Sequence, residues 1–375
     1  MKKTIAICTN IPIFWNNKIL NTEHCAKYFG ASWMPLFSHL AIQNNYHVVS
    51  GDVALLKIAK NEINPKDVYV IQELNARHGK KLLKLGANGL LLSGGESPLF
   101  SYYFYDHLKS ISDKFYFRKL FGGSYALMNQ AVNEKNQKMY FPSYFLNENS
   151  YNNTWEKRKK MVMIAANKSG LFAIPRGIKE KFIWVVHRVY KLFSPSFHLA
   201  QKNELHSKRL EMVQYFGSND KLSLFGSNWD DATRFEPTKR EEMIQIINKL
   251  QPSFVDDKIL TLSQYKYAIC FENISFDGYV TEKIIHCFLA GTIPIYLGAP
   301  NITDFIPKNC FIDLRDFRSL EELNLFLEKL SQAEIHQYIA NGKNFLASEE
   351  GKRFSYEYYA QDIMDKVLEF DDNNQ

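Results

Sequence analysis

YKYAICFENISFDGYVTEKIIHCFLAGTIPIYLG, residues 265–298, carries the pattern that decides the fold. YKYAICF is a short apolar run of strand length, ENISFDGYV a polar loop, TEKIIHCFLA a helix, and TIPIYLG a returning strand. Gly291 stands where a helix ends most readily, because only glycine enters the left-handed region without steric cost. The unit is therefore βαβ, and its loop delivers Asn273, Gly278, Tyr279, Glu282 and Lys283 to the helix N-terminus. Free backbone N–H groups and the helix dipole favour an anion there, and a diphosphate is the natural occupant.

Working outward, the same kind of run recurs along the chain: TIAICTN, YHVVSGD, VYVIQEL and GLLLSGG, then MVMIAAN and KLSLFGS. Apolar strands separated by helix-length segments predict parallel sheets covered on both faces, an α/β protein. With 375 residues, two domains are expected. The polar stretch Asn147 to Lys160 is the candidate linker, which sets the domains at residues 1–150 and 151–350, with a C-terminal helix over 351–375 packing back on the first. Two doubly wound domains so joined would face a ligand cleft with their strand ends. Ser319 and Glu322 read as a capping box for the helix LEELNLFLEKL.

Composition narrows the function. A net charge of +6 suits an anionic substrate or a phospholipid surface and is too small to argue for nucleic acid. Five scattered cysteines without a CxxC pair suggest reduced thiols, neither disulfide frame nor zinc site. MKKTIAICTN reads as a first strand rather than a signal peptide, and no apolar run reaches the roughly 18 residues a membrane span needs. The expected location is the cytoplasm, with any membrane contact peripheral and on the inner face.

Residues 271–273 (FEN), 278–283 (GYVTEK) and 290–298 (AGTIPIYLG), continuing through APNITDFIPKNCFIDLRDF at 299–317, resemble the signature of the α-1,3/4-fucosyltransferases of glycosyltransferase family 10. Glu96-Ser97-Pro98, MIAANKS and LHSKRLEMVQYF resemble further family segments in the same chain order. The resemblance implies a GT-B fold of two Rossmann-like domains facing across a cleft, the first on the acceptor side and the second binding the GDP-sugar. It implies inverting transfer of L-fucose from GDP-β-L-fucose to a glycan or lipid-linked glycan acceptor, with an α-1,3-type linkage and no bound metal or other cofactor. Without a Golgi-type anchor, surface polysaccharide or lipopolysaccharide synthesis, including O-antigen, is the expected setting.

Inverting transfer needs one base for the acceptor proton and positive groups for the departing diphosphate. Glu96, just past a strand end, is the candidate base under the resemblance; by spacing alone it reads first as a turn carboxylate after Gly94-Gly95. Lys283 and Arg209 are the candidate diphosphate cations. Lys283 sits in a first helical turn where a cation opposes the dipole unless an anion binds, the other reading being a lysine bent into water. Arg209 has a planar fork suited to phosphate, although without the family it is a helix-surface arginine. Asn167, Lys168, Asn273, Tyr279 and Glu282 complete the implied donor pocket. His107 and His286 read as scaffold. The Asp230-Asp231 and Asp256-Asp257 pairs fall in loops and do not form a DxD metal site at a strand end.

The stretch 170–204 is longer than the family leads one to expect. Within it, residues 178–193 repeat apolar side chains at Ile178, Phe182, Val185, Val189 and Phe193 among Lys179, Arg188 and Lys191. That basic amphipathic pattern fits a helix packed on the protein or one lying on an anionic membrane face. Ile274 stands where a small polar residue would be unsurprising. Two alternatives compete with fucosyl transfer: the same scaffold using another GDP-deoxyhexose, and a non-catalytic glycan- or nucleotide-binding protein.

Overall fold

The computed structural model describes residues 2–147, 154–168, 185 and 188–373. It divides into two compact units: Met1–Asn147 with Phe276–Glu282 and Lys352–Gln375, and Glu148–Ser275 with Lys283–Gly351. The chain therefore leaves the second unit for seven residues in the middle of the 265–298 stretch, and Tyr279 and Glu282 fall in the first unit although sequence position alone groups them with the second. The expected linker ends early, since Lys159 and Lys160 already belong to a strand.

The first unit is built on a six-stranded parallel sheet in the order β2-β1-β3-β4-β5-β6. Its strands are β1 Thr4–Cys8, β2 His47–Ser50, β3 Val68–Glu73, β4 Asn88–Ser93, β5 Phe117–Leu120 and β6 Asn136–Lys138. The burial pattern of β1 is unbroken, as expected of a parallel strand covered on both faces. Ser355 caps the C-terminal helix Tyr356–Asp372 by accepting from the Tyr358 N–H at 3.1 Å. That helix lies along the helix Trp33–Gln43, with Trp33 and Tyr359 in edge contact at 5.2 Å. Its far end is tied down by Asp371, which accepts from the hydroxyls of Tyr46 and Tyr69 and pairs with Lys3.

The second unit repeats the plan with five parallel strands in the order β11-β10-β9-β7-β8. These are β7 Lys159–Ile164, β8 Leu222–Phe225, β9 Tyr265–Phe271, β10 Ile293–Leu297 and β11 Ile312–Asp313. Met161, Met163, Phe216, Leu224, Ile269 and Ile295 belong to its core. Ser319 accepts from the Glu322 N–H, but the Glu322 carboxylate returns to the Arg318 N–H, so the expected capping box is only half formed. A complete box stands instead at Ser331 and Glu334.

Both sheets reverse direction after their first two strands, between β1 and β3 in one and between β7 and β9 in the other. At such a reversal the loops leaving neighbouring strand ends diverge to opposite faces, and a crevice opens at the carboxyl ends. In the second unit that position lies between Ala165–Lys168 and Glu272–Asn273; in the first, between Thr9–Asn10 and Glu73–Leu74.

Candidate functional site

In the second unit the βαβ pattern at 265–298 is realised as β9, the helix Glu282–Leu289 and β10, with Gly291 at φ +61° after the helix. Glu272 follows β9 directly and is fully buried. A bare carboxylate in that position would be unstable, and Lys283 Nζ stands 2.7 Å from its Oε2. The lysine is thus held inward, not bent into water. Gly298 permits this arrangement, since a Cβ there would come within 2.7 Å of Glu272 Cγ and 2.3 Å of the Tyr296 hydroxyl.

Arg209 departs from a helix-surface reading. It lies on the helix His206–Ser218, and its guanidinium is buried. Nη2 donates to the carbonyls of Phe271 and Glu272 at 2.7 and 2.9 Å and to Asn273 Oδ1 at 3.1 Å. Nη1 meets His206 Nδ1 at 3.2 Å. The loop after β9 is fixed further by Leu205 N–H donating to the Asn273 carbonyl and Ser275 N–H to the Asn203 carbonyl. Ile274 is fully buried there.

His206 registers the field of the site. Burial and then the charges of Arg209, Lys168 and Lys283 hold its imidazole down to about 3, so it is neutral at physiological pH. Three of the cations singled out in the sequence therefore act on one side chain. Asn167 is buried just past β7, with its N–H on the Ser227 carbonyl at 2.9 Å, and Lys168 beside it is exposed.

The first unit holds Glu96, between β4 and the helix Pro98–Asp106. Its Oε1 accepts from the Ser97 N–H at 2.7 Å and from the Tyr279 hydroxyl at 3.2 Å. Tyr279, expected among the nucleotide contacts, is buried in edge contact with Phe121, its hydroxyl on the candidate base. The segment carrying it is fastened by Gly123 N–H on the Asp277 carbonyl at 2.8 Å. Gly123 leaves no room for a side chain, since a Cβ would lie 2.6 Å from the Phe276 ring.

Glu272, His206 and Glu73 were not singled out from sequence. Glu272 lay inside the quoted FEN, His206 lies three positions before Arg209 on the same helix face, and Glu73 ends the run VYVIQEL. His107 stacks on Tyr103, and His286 is buried in its helix. Asp231 and Asp257 cap short helices. Of the basic amphipathic stretch, Ile178, Lys179 and Phe182 lie outside the described residues, while Val185, Val189 and Phe193 are exposed. Among the described residues no helix is long and apolar enough to cross a membrane.

Two Rossmann-like units with these strand orders define the GT-B class of glycosyltransferase folds. The crystal structure of an α1,3-fucosyltransferase with GDP covers 98% of this chain, with 90% of that chain matched, at a TM-score of 0.51 and 15% identity. Anabaena Alr3699/HepE in complex with UDP reaches 0.56 at 10% identity, covering 98% of this chain and all of that one. Both likenesses concern the fold alone. Residues 196–345, less than half of the chain, match the model of glycosyltransferase family 10 (fucosyltransferase), C-terminal part. An α-(1,3)-fucosyltransferase of Helicobacter pylori is 38% identical over 190 residues, 49% of this chain and 38% of that protein. An α-(1,4)-fucosyltransferase of Arabidopsis thaliana is 39% identical over 143 residues, 38% of this chain and 34% of that one. The chain thus spans little more than a third of the length of these relatives.

Proposed function

We propose that the protein transfers L-fucose from GDP-β-L-fucose to a hydroxyl of a glycan acceptor with inversion at the anomeric carbon. The observation that carries this reading is the positive field where Arg209 and Lys283 meet at the second unit's strand reversal, Arg209 on the carbonyls of Phe271 and Glu272 and Lys283 2.7 Å from the Glu272 carboxylate. Such a field suits the two phosphates of a nucleotide sugar and the charge that grows on them as the glycosidic bond breaks. Arg209 and Lys283 both lie inside the family-matched segment. Relatives of differing acceptor class share similar stretches: a Xenopus laevis protein named GDP-fucose protein O-fucosyltransferase 3 matches over 84 residues, and a mouse 4-galactosyl-N-acetylglucosaminide 3-α-L-fucosyltransferase over 83. This supports a common donor.

Glu96 is the base in this reading. It removes the acceptor proton as the hydroxyl oxygen attacks the anomeric carbon, and GDP departs from the opposite face. Tyr279 and the Ser97 N–H orient its carboxylate through Oε1, leaving Oε2 for the acceptor. Asn167, Asn273 and Glu282 are proposed to contact the nucleotide or sugar, and Lys168, Arg209 and Lys283 to supply the charge without a metal. A membrane face as the place of action is proposed only for the exposed residues Val185, Val189 and Phe193.

Calorimetric titration with GDP-, UDP- and CMP-sugars tests the donor, and transfer assays with and without EDTA test the charge supply. Preferential GDP-fucose binding and EDTA-resistant formation of an α-linked product are expected. Failure to bind GDP, or strict manganese dependence, overturns the corresponding part.

A further inference from the structure

The strand reversal of the first unit carries a cavity of about 270 Å³, just below the roughly 300 Å³ at which small-molecule sites begin. Phe14, Trp33, Phe141 and Tyr359 line it together with two carboxylates, Glu73 and Glu96. Among the described residues lining it there is no lysine or arginine. The two acidic side chains disfavour an anion there. A neutral sugar ring offers apolar C–H faces to aromatic walls and hydroxyls to carboxylate oxygens.

Glu73 is the last residue of β3, beside the position where the sheet order reverses. Leu74 then enters the left-handed region at φ +49°, with its N–H held by the Ser93 carbonyl at 2.8 Å. A leucine in that conformation is strained, and the surrounding fold must hold it. The turn directs the chain away and leaves Glu73 on the cavity wall. Thr9, at the end of the neighbouring β1, hydrogen-bonds its carboxyl, which burial pushes above the usual carboxylate range. A carboxyl on the cavity wall can hydrogen-bond a sugar hydroxyl.

We infer that this cavity holds a ring of the acceptor sugar and that Glu73 selects it by hydrogen-bonding a hydroxyl other than the one that reacts at Glu96. The inference rests on the transfer reading above but can fail independently of it. Glu73 is a specificity-determining residue, with no part in moving the reacting proton.

The test uses the full chain, with N-acetyllactosamine as probe. Saturation-transfer NMR reports sugar contact directly, and steady-state kinetics separate the two substrates. Glu73→Ala is expected to raise the acceptor KM roughly ten- to a hundredfold, with kcat at saturating acceptor and GDP affinity close to wild type. Glu73→Gln, which keeps an acceptor oxygen and gains a donor, is expected to restore KM to within about threefold. An unchanged acceptor KM in the alanine variant overturns the inference. So does a joint fall in acceptor and GDP affinity with a lower melting temperature, which marks a structural role. If wild type transfers nothing from GDP-fucose yet binds the disaccharide through Glu73, the donor reading falls and this one stands. If wild type shows no saturation transfer to N-acetyllactosamine or its component monosaccharides, the inference falls whatever the donor.

Discussion

The two strand reversals share a plan and differ in sign. Each follows the order second, first, third strand, and each places a glutamate at the end of its third strand, Glu73 in one unit and Glu272 in the other. Glu272 is paired with Lys283 from the helix that follows, and Arg209 donates to its carbonyl at 2.9 Å. Glu73 has no ion-pair partner among the described residues; the first arginine of the helix after β3, Arg77, lies over the Trp15 ring at 4.3 Å instead. In the reading proposed above, one reversal suits phosphate and the other an uncharged polyol. The backbone topology fixes where a ligand can bind, and the charge on a few flanking side chains decides which ligand.

The sharpest way to break this comparison is Glu96→Gln. If the first unit carries the base and the second the anion site, kcat should fall by about 10² to 10⁴ while GDP-fucose affinity stays near wild type. Single-turnover kinetics and calorimetry on the same preparation read both. Equal losses in rate and donor affinity would erase the division of labour.

Lys283→Ala acts on the other side. It should weaken GDP binding by roughly ten- to a hundredfold, the value of one charge-assisted hydrogen bond. It also leaves Glu272 buried without its partner, so denaturant unfolding should show a loss toward the lower end of about 3–5 kcal/mol, Lys283 being partly open to solvent. Lys283→Ala combined with Glu272→Gln should recover stability but not GDP affinity.

His206 gives a pH readout of the same field. Its folded value of about 3 lies below the unfolded 6.5, so the unfolded chain takes up the proton first and stability falls as pH drops through that interval. Between pH 7.5 and 5 the loss should approach about 2 kcal/mol, and His206→Asn should flatten it. Saturating GDP should shrink the part of the slope that the cations add to burial, because bound phosphates offset their charge. An unaltered slope with GDP would place the phosphates elsewhere.

The smallest effect is expected at Glu73, where the sign is opposite to that of a paired carboxylate. Its folded carboxyl is raised, so the folded chain keeps the proton longer and stability declines as pH rises through the folded value. The groups around it are Thr9, Tyr359 and the Glu96 carboxylate on the same cavity. Glu73→Gln should therefore melt at or above wild type at pH 8 and show no advantage at pH 4. A lower melting temperature at pH 8 would mean that the ionised carboxylate is stabilised by contacts not yet identified.

By itself the sequence determined the α/β class and the strands that are buried on both faces, because an uninterrupted apolar run of strand length has little alternative in water. β9 and β10 lie where YKYAICF and TIPIYLG place them, and Gly291 ends the helix between them. β5 was not legible, since its Lys119 breaks the apolar run. That lysine is buried only because Asp362 and the Tyr359 ring, on a helix more than two hundred residues later, meet it there. The tertiary structure alone decided that residues 276–282 join the first unit, turning the Tyr279 hydroxyl to Glu96, and that Arg209 is a buried tie across the end of β9. The physical reason is common to all three. Local pattern reports how much of a segment water rejects, whereas the environment of a charge is set by partners distant in sequence, and only the folded chain brings them within hydrogen-bond reach.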